Sequence, residues 1–193
     1  MNTPTSRRLL PSDLTIRSIT SDDQELVDSF IGPERIAEMK DSGFTESDEV
    51  TTRQLISLVS AGVLRGWFVT LPGHGALSIQ TYAPTGVAGV WSGECVTAPE
   101  AATLGFRGVG TACMALAMDA LFDDPQVHRL MGYVAVTNTA SLRMCERLGF
   151  RREGLAREQM PIGDGKRSDA AIMAILRREW EGAATIEKKL IAS

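Results

Sequence analysis

The chain has 193 residues, enough for one domain with a sizeable core, and its 44% apolar and 23% charged residues are those of an ordinary globular protein. A net charge of −4 argues against a general nucleic-acid binder, and no uncharged apolar run approaches the ~18 residues that span a bilayer. The three cysteines, Cys95, Cys113 and Cys145, are odd in number and lack metal-ligand spacing, which points to reduced thiols, no metal centre and a cytoplasmic setting. Arg7 and Arg8 are followed by no apolar run, so no secretory leader is expected and residues 1–13 read as an N-terminal extension.

Residues 14–19 alternate apolar and polar, as a half-buried strand does. Ser21, Asp22 and Asp23 then open a helix that Gly32-Pro33 breaks, and further helical stretches run over 34–40 and about 49–60. Three strands follow over 64–71, 76–82 and 87–97, the first two joined by a Pro72-Gly-His-Gly75 hairpin signal. Residues 108–122 are apolar on nearly every face, the mark of a helix buried on both sides, and Asp123-Asp-Pro125 stops it. Residues 128–136 read as an internal strand, and 138–148 as a helix that starts on Asn138 and closes on Gly149. Two more strands span 150–160 and 169–180 across the loop 161–168, and 181–193 is a tail that can be helical. The fold class is therefore α/β: one domain over 14–180 with a mixed, mostly antiparallel sheet and helices on both faces.

The most informative stretch is Gly105-Phe-Arg-Gly-Val-Gly-Thr-Ala112, three glycines around Arg107 leading into the apolar helix. Glycine lets the main chain approach an anion, and a first helical turn points free N–H groups at it. A Walker-type loop would need Lys-Ser or Lys-Thr after the last glycine, and Thr111-Ala112 stands there instead. A dinucleotide fingerprint started at Gly108 meets Cys113 where its third glycine belongs, and it would sit behind antiparallel hairpins. A pyrophosphate cradle for coenzyme A is the remaining reading.

With Asn138-Thr-Ala-Ser141 and Leu148-Gly-Phe150 at their observed spacing, the chain resembles the Gcn5-related N-acetyltransferase (GNAT) superfamily, in particular its ribosomal-protein-alanine-acetyltransferase-like branch. The resemblance runs from about Leu14 to Trp180 and is strongest from Val96 to Phe150. It implies acetyl-CoA as co-substrate, held by Arg107, Gly108, Val109, Gly110, Thr111 and Ala112, with contributions from Val96 and Asn138. If the helix is phased back from Phe122, Gly108 and Gly110 fill the glycine slots and Gly105 takes the Gln/Arg slot; phasing on Arg107 would use Gly110 and Ala112. The first phasing is preferred. Cys145 occupies the slot where many members carry a tyrosine, the proposed general acid.

The chemistry asks for little. An amine of pKa ~10 must lose a proton before it attacks a thioester. Glu94, an acid in an apolar strand, is the base candidate, acting through a water. The oxyanion needs a backbone N–H, which the resemblance places around Val96. Because a thiolate departs tolerably, water, Ser141 or Cys145 could supply its proton.

Blander roles stand beside these. Glu94 can be a solvated strand residue, Asn138 a simple N-cap, Ser141 a capping partner and the cysteines small buried side chains. His74 reads as loop, His128 as structural, and Trp67 and Trp91 as core. Residues 21–50 hold ten acids and two bases, against ten bases and five acids over 129–178. That is either a solvated acidic face or a steering field for a cationic amine. The acceptor would be a peptide or protein N-terminus, or a small polyamine-like or aminoglycoside-like amine. A homodimer stays open, as do a catalytically weakened acyl-CoA-binding module and a transferase using another acyl-CoA.

Overall fold

The computed structural model describes residues 7–32, 52–161 and 166–192. Seven strands, β1 (Thr15–Ser18), β2 (Arg65–Leu71), β3 (Gly75–Pro84), β4 (Val90–Thr97), β5 (Arg129–Ala135), β6 (Arg151–Pro161) and β7 (Arg167–Leu176), form one sheet in the order β1-β2-β3-β4-β5-β7-β6. Every neighbouring pair is antiparallel except β4 and β5. A parallel pair needs a long crossover, and here that crossover carries the central helix α3 (Val109–Phe122). The other helices are α1 (Gln24–Ile31), α2 (Thr52–Ser60), α4 (Thr139–Arg147) and α5 (Ala183–Ala192). The helix expected over 34–40 lies outside the described residues.

The two faces of the sheet hold separate cores. On one, Met114, Met118, Leu121 and Phe122 of α3 pack with Tyr82, Leu130 and Ile175 of the sheet and with Ala183, Ile186 and Leu190 of α5. On the other, Val27 and Phe30 of α1 and Leu55 and Ile56 of α2 pack on Phe68 and Ile79. α3 therefore lies between the sheet and α5, which is why its sequence has no polar face.

Residues 7–13 and α5, read from sequence as an extension and a tail, belong to the packed domain. Leu9 is buried, and the Leu9 N–H donates to the Arg107 carbonyl at 2.9 Å. The Asp119 carboxylate accepts from the Trp180 indole N–H at 2.8 Å and from the first N–H of α5 at 3.1 Å, tying that helix to α3. Residues 7–13 are too short for a repeat to show, and half of the apolar residues of α5 are alanines, so neither segment announces a core element.

Asp23 anchors α1 to β1. Its carboxylate accepts from Arg17 at 2.7 and 2.8 Å and from the Thr20 N–H and hydroxyl at 2.8 and 2.9 Å. The hydrogen bonds from Arg17 outweigh burial and, with those from Thr20, hold the carboxyl far below the usual range. Asp23→Ala should cost about 2 kcal/mol, less than a fully buried pair because Arg17 is half-exposed. A depressed carboxyl pKa stabilises above the unfolded value of ~3.9 and loses that contribution as pH falls through the folded value. Urea melts at pH 7 and pH 3 should therefore show the gap between wild type and variant narrowing on acidification.

Candidate active site

The sheet opens at its parallel pair. Ser92–Met131 is the last register pair between β4 and β5, whereas β4 stays on β3 as far as Thr97–Ser78 and β5 stays on β7 as far as Ala135–Ala170. Each half of the sheet keeps its own ladder, and the gap between them is a cleft of about 580 Å³. Glu94, Cys95 and Val96 line one wall, Gly132 to Ala135 the other, and Ser141, Met144 and Cys145 of α4 close one side. Gly93 stands where β4 begins to diverge, and a Cβ there would meet the Tyr82 ring at 2.6 Å, so only glycine lets that ring lie against the strand.

The N-terminus of α3 is uncapped by any side chain. Gly108 is its N-cap, with φ +79°, a left-handed conformation that favours glycine. The first intrahelical bond is Ala112 N–H to Gly108 C=O at 3.0 Å, which leaves the N–H groups of Val109, Gly110 and Thr111 without helical partners. The Arg107 N–H, by contrast, donates to the Arg7 carbonyl at 3.1 Å. Of the stretch 107–112 expected to form a cradle, the Arg107 and Ala112 N–H groups already have backbone partners. The Arg107 side chain is exposed beside it.

Alternation along β4 sorts the cleft chemistry. Ala98 N–H donates to Leu77 C=O at 2.9 Å and Thr85 N–H to Val90 C=O at 3.0 Å, so the even-numbered residues of β4 turn their backbone groups toward β3. The N–H of Val96 therefore faces β3, and among residues 94–96 it is Cys95 whose N–H faces the cleft. The cleft-facing N–H nearest the expected position at Val96 is thus that of Cys95, since parity depends on the register with β3. Side chains alternate likewise. Glu94 shares a face with Val96, which packs with α1 and α2, and Cys95 points to the α3 face with Gln80 and Tyr82.

Burial raises the Glu94 pKa. Its side chain nevertheless reaches solvent through the cleft mouth, because a concave wall surrounds a group with protein without sealing it. Among the described residues no cation pairs with it. Asn138 caps α4, its side-chain oxygen accepting from the Ser141 N–H at 3.1 Å, and both residues line the cleft. α4 ends in a Schellman turn: Phe150 N–H reaches Cys145 C=O at 3.0 Å and Gly149, at φ +92°, donates to Glu146 C=O at 3.1 Å. That turn fixes Cys145 at the cleft, where burial pushes its thiol up to about 11.

One group escaped the sequence reading. Ser78, Gln80 and Tyr82 are buried in β3 and bonded to one another and to Cys95. Polar residues at every second position of an apolar strand were the available signal. His74 sits at the surface with its ring edge-on to Phe106, Trp91 stacks with Arg65, and His128 precedes β5; none lines the cleft. Among the described residues no cluster suits a metal ion, and no helix is long and apolar enough to cross a membrane.

Set against known proteins, residues 13–151 match the acetyltransferase (GNAT) domain family, and the chain belongs to that family. It is 33% identical over 75 residues to the probable N-acetyltransferase YjcK of Bacillus subtilis (strain 168), a match spanning 39% of this chain and 41% of that protein. Its fold is shared with spermidine N-acetyltransferase from Vibrio cholerae, solved in complex with CoA and spermine, at TM-score 0.71 and 22% identity over 87% of this chain and 98% of the other. Mycobacterium smegmatis RimJ, solved in complex with CoA-disulfide, superimposes at TM-score 0.70 and 20% identity over 93% and 88% of the two chains.

Proposed function

We propose that this protein transfers the acetyl group of acetyl-CoA directly to a primary amine. The observation that carries the reading is the opened β4–β5 pair, with an uncapped helix N-terminus beside it and the Glu94 carboxylate on its wall. The residues present fit the co-substrate. Val109, Gly110 and Thr111 offer N–H groups and the positive end of α3 to a pyrophosphate. An extended pantetheine arm would run in the cleft of about 580 Å³ between the two strand edges. The thioester carbonyl would lie on the Cys95 N–H, the donor aimed at the developing oxyanion. Glu94 would take the amine proton through a water, its raised pKa making it a better base than an exposed carboxylate. Asn138 orients the first turn of α4, which keeps Ser141 at the cleft.

The acceptor class follows from charge. Asp22, Glu25 and Asp28 lie at or on α1, on the face from which Glu94 is reached; Asp23 is spent on Arg17. The other acids of the 21–50 segment lie outside the described residues. This field suits a polyamine, the acceptor type named for the Vibrio cholerae relative, or a cationic peptide N-terminus. A competing reading, an acyl-CoA-binding module without turnover, draws on Cys145 in the tyrosine slot. The two separate on a panel of polyamines and peptides: release of CoA thiol should depend on added amine, and kcat/KM for the cationic acceptors should fall as salt shortens the screening length to ~10 Å at 0.1 M. Tight acetyl-CoA binding with no amine-dependent release would favour the binding module.

A further inference from the structure

We infer that Cys95, set by the buried Ser78–Gln80–Tyr82 chain, is the proton donor to the departing CoA sulfur. The inference rests on the transferase reading above and deepens it, since that reading leaves the leaving group without the tyrosine many relatives use.

Tyr82 O–H donates to Gln80 Oε1 at 3.3 Å, which turns the amide so that its NH2 end faces the other way. Those two N–H groups reach Ser78 Oγ at 2.7 Å and Cys95 Sγ at 2.9 Å. Ser78 in turn donates to the Val96 carbonyl at 2.8 Å. Every hydroxyl and amide proton of the chain is thereby committed, and the Cys95 sulfur acts as an acceptor toward it. Among the described residues its own S–H proton has only the long 3.6 Å contact to Ser78 Oγ, which already accepts from Gln80. Cys95 also lines the cleft, the side from which a CoA sulfur would meet its buried thiol. A developing thiolate is a charged acceptor and outcompetes a long neutral contact.

Position supports the same assignment. The sulfur and the carbonyl oxygen of a thioester sit on one carbon, so both must be met from neighbouring donors. Cys95 offers its backbone N–H in the plane of the sheet and its S–H on the α3 side. Strand alternation places Glu94 on the α1–α2 side, so the amine is deprotonated from one face and the sulfur leaves toward the other. As the C–S bond breaks, its electron pair stays on the CoA sulfur and the Cys95 proton joins it, giving free CoA thiol. The oxyanion re-forms the carbonyl, and the Cys95 thiolate, still held by the Gln80 N–H, regains a proton from water at the cleft mouth. The proton lost by the amine leaves through Glu94.

The ionisable groups facing Cys95 are Tyr82 of β3, Cys113 of α3 and Cys145 of α4, each with a pKa raised by burial and hence neutral at pH 7. The test is single-turnover acetyl transfer, which isolates the chemical step. Cys95→Ala should slow it about tenfold, a modest loss because a thiolate leaves readily, with acetyl-CoA affinity unchanged. In wild type the rate should fall again at high pH as Cys95 ionises. That limb should vanish in Cys95→Ala and move to higher pH in Cys95→Ser, which keeps a donor and recovers part of the rate. An active wild type whose Cys95→Ala form shows the same rate and the same alkaline limb would overturn the inference alone. A wild type that binds acetyl-CoA and acetylates no amine would overturn the transferase reading and the inference with it.

Discussion

Gly110→Glu is expected to weaken acetyl-CoA binding at least a hundredfold, about 2.7 kcal/mol, in calorimetric titration. Gly110 is the second residue of α3, and its N–H is one of the three that the helix leaves unpartnered. A side chain there starts from a Cβ that already meets Met144 Sδ at 3.1 Å, on the α4 side of the cleft. Met144 is flexible and can yield by a few tenths of an ångström, so the helix should survive. An acid in the first turn even favours the helix dipole. The added carboxylate would nonetheless occupy the volume of the pyrophosphate and repel it, neutralising the positive end that draws an anion to this turn. Loss of binding with an unchanged melting temperature is therefore the expected pair of results. Normal affinity would place the phosphates elsewhere.

Glu94→Gln should lower kcat on the order of a hundredfold while leaving acetyl-CoA affinity unchanged, because the amide fills the same space and cannot take a proton. The wild-type pH–rate profile should carry an acidic limb above the ordinary carboxylate value of ~4.3, since burial raises this group. In the Gln variant that limb should disappear. Stability should move the other way. A folded pKa above the unfolded one means that stability falls as pH rises from the unfolded value through the folded one. Above the folded value the wild type carries the cost of ionising this carboxylate against the cleft wall, so there Glu94→Gln should melt slightly higher. An unchanged kcat would leave amine deprotonation to solvent.

Much of this architecture is legible because its signals are local. The apolar run over 108–122 announces a buried helix, Asn138 is both motif residue and observed cap, and Leu148-Gly149-Phe150 spells the turn that closes α4. What stays hidden depends on register. No reading of β4 alone tells whether the N–H of Cys95 or of Val96 faces the cleft, because that is set by the pairing of Ala98 with Leu77. The cleft itself arises from two ladders, on β3 and on β7, that hold while the pair between them ends at Ser92. The Arg107 N–H is taken by a chain segment a hundred residues away in sequence, and no local pattern records that bond.

We propose that a single cleft, between the splayed edges of β4 and β5 and under the first turn of α3, holds acetyl-CoA. Amide hydrogen exchange with and without acetyl-CoA tests it most directly. Exchange should slow at Cys95 and at Val109, Gly110 and Thr111, with smaller effects along Gly132 to Ala135, and the β1–β2 ladder should be untouched. Binding that leaves the amides of Val109 to Thr111 exchanging as in the free protein, or that protects another surface instead, would contradict the account.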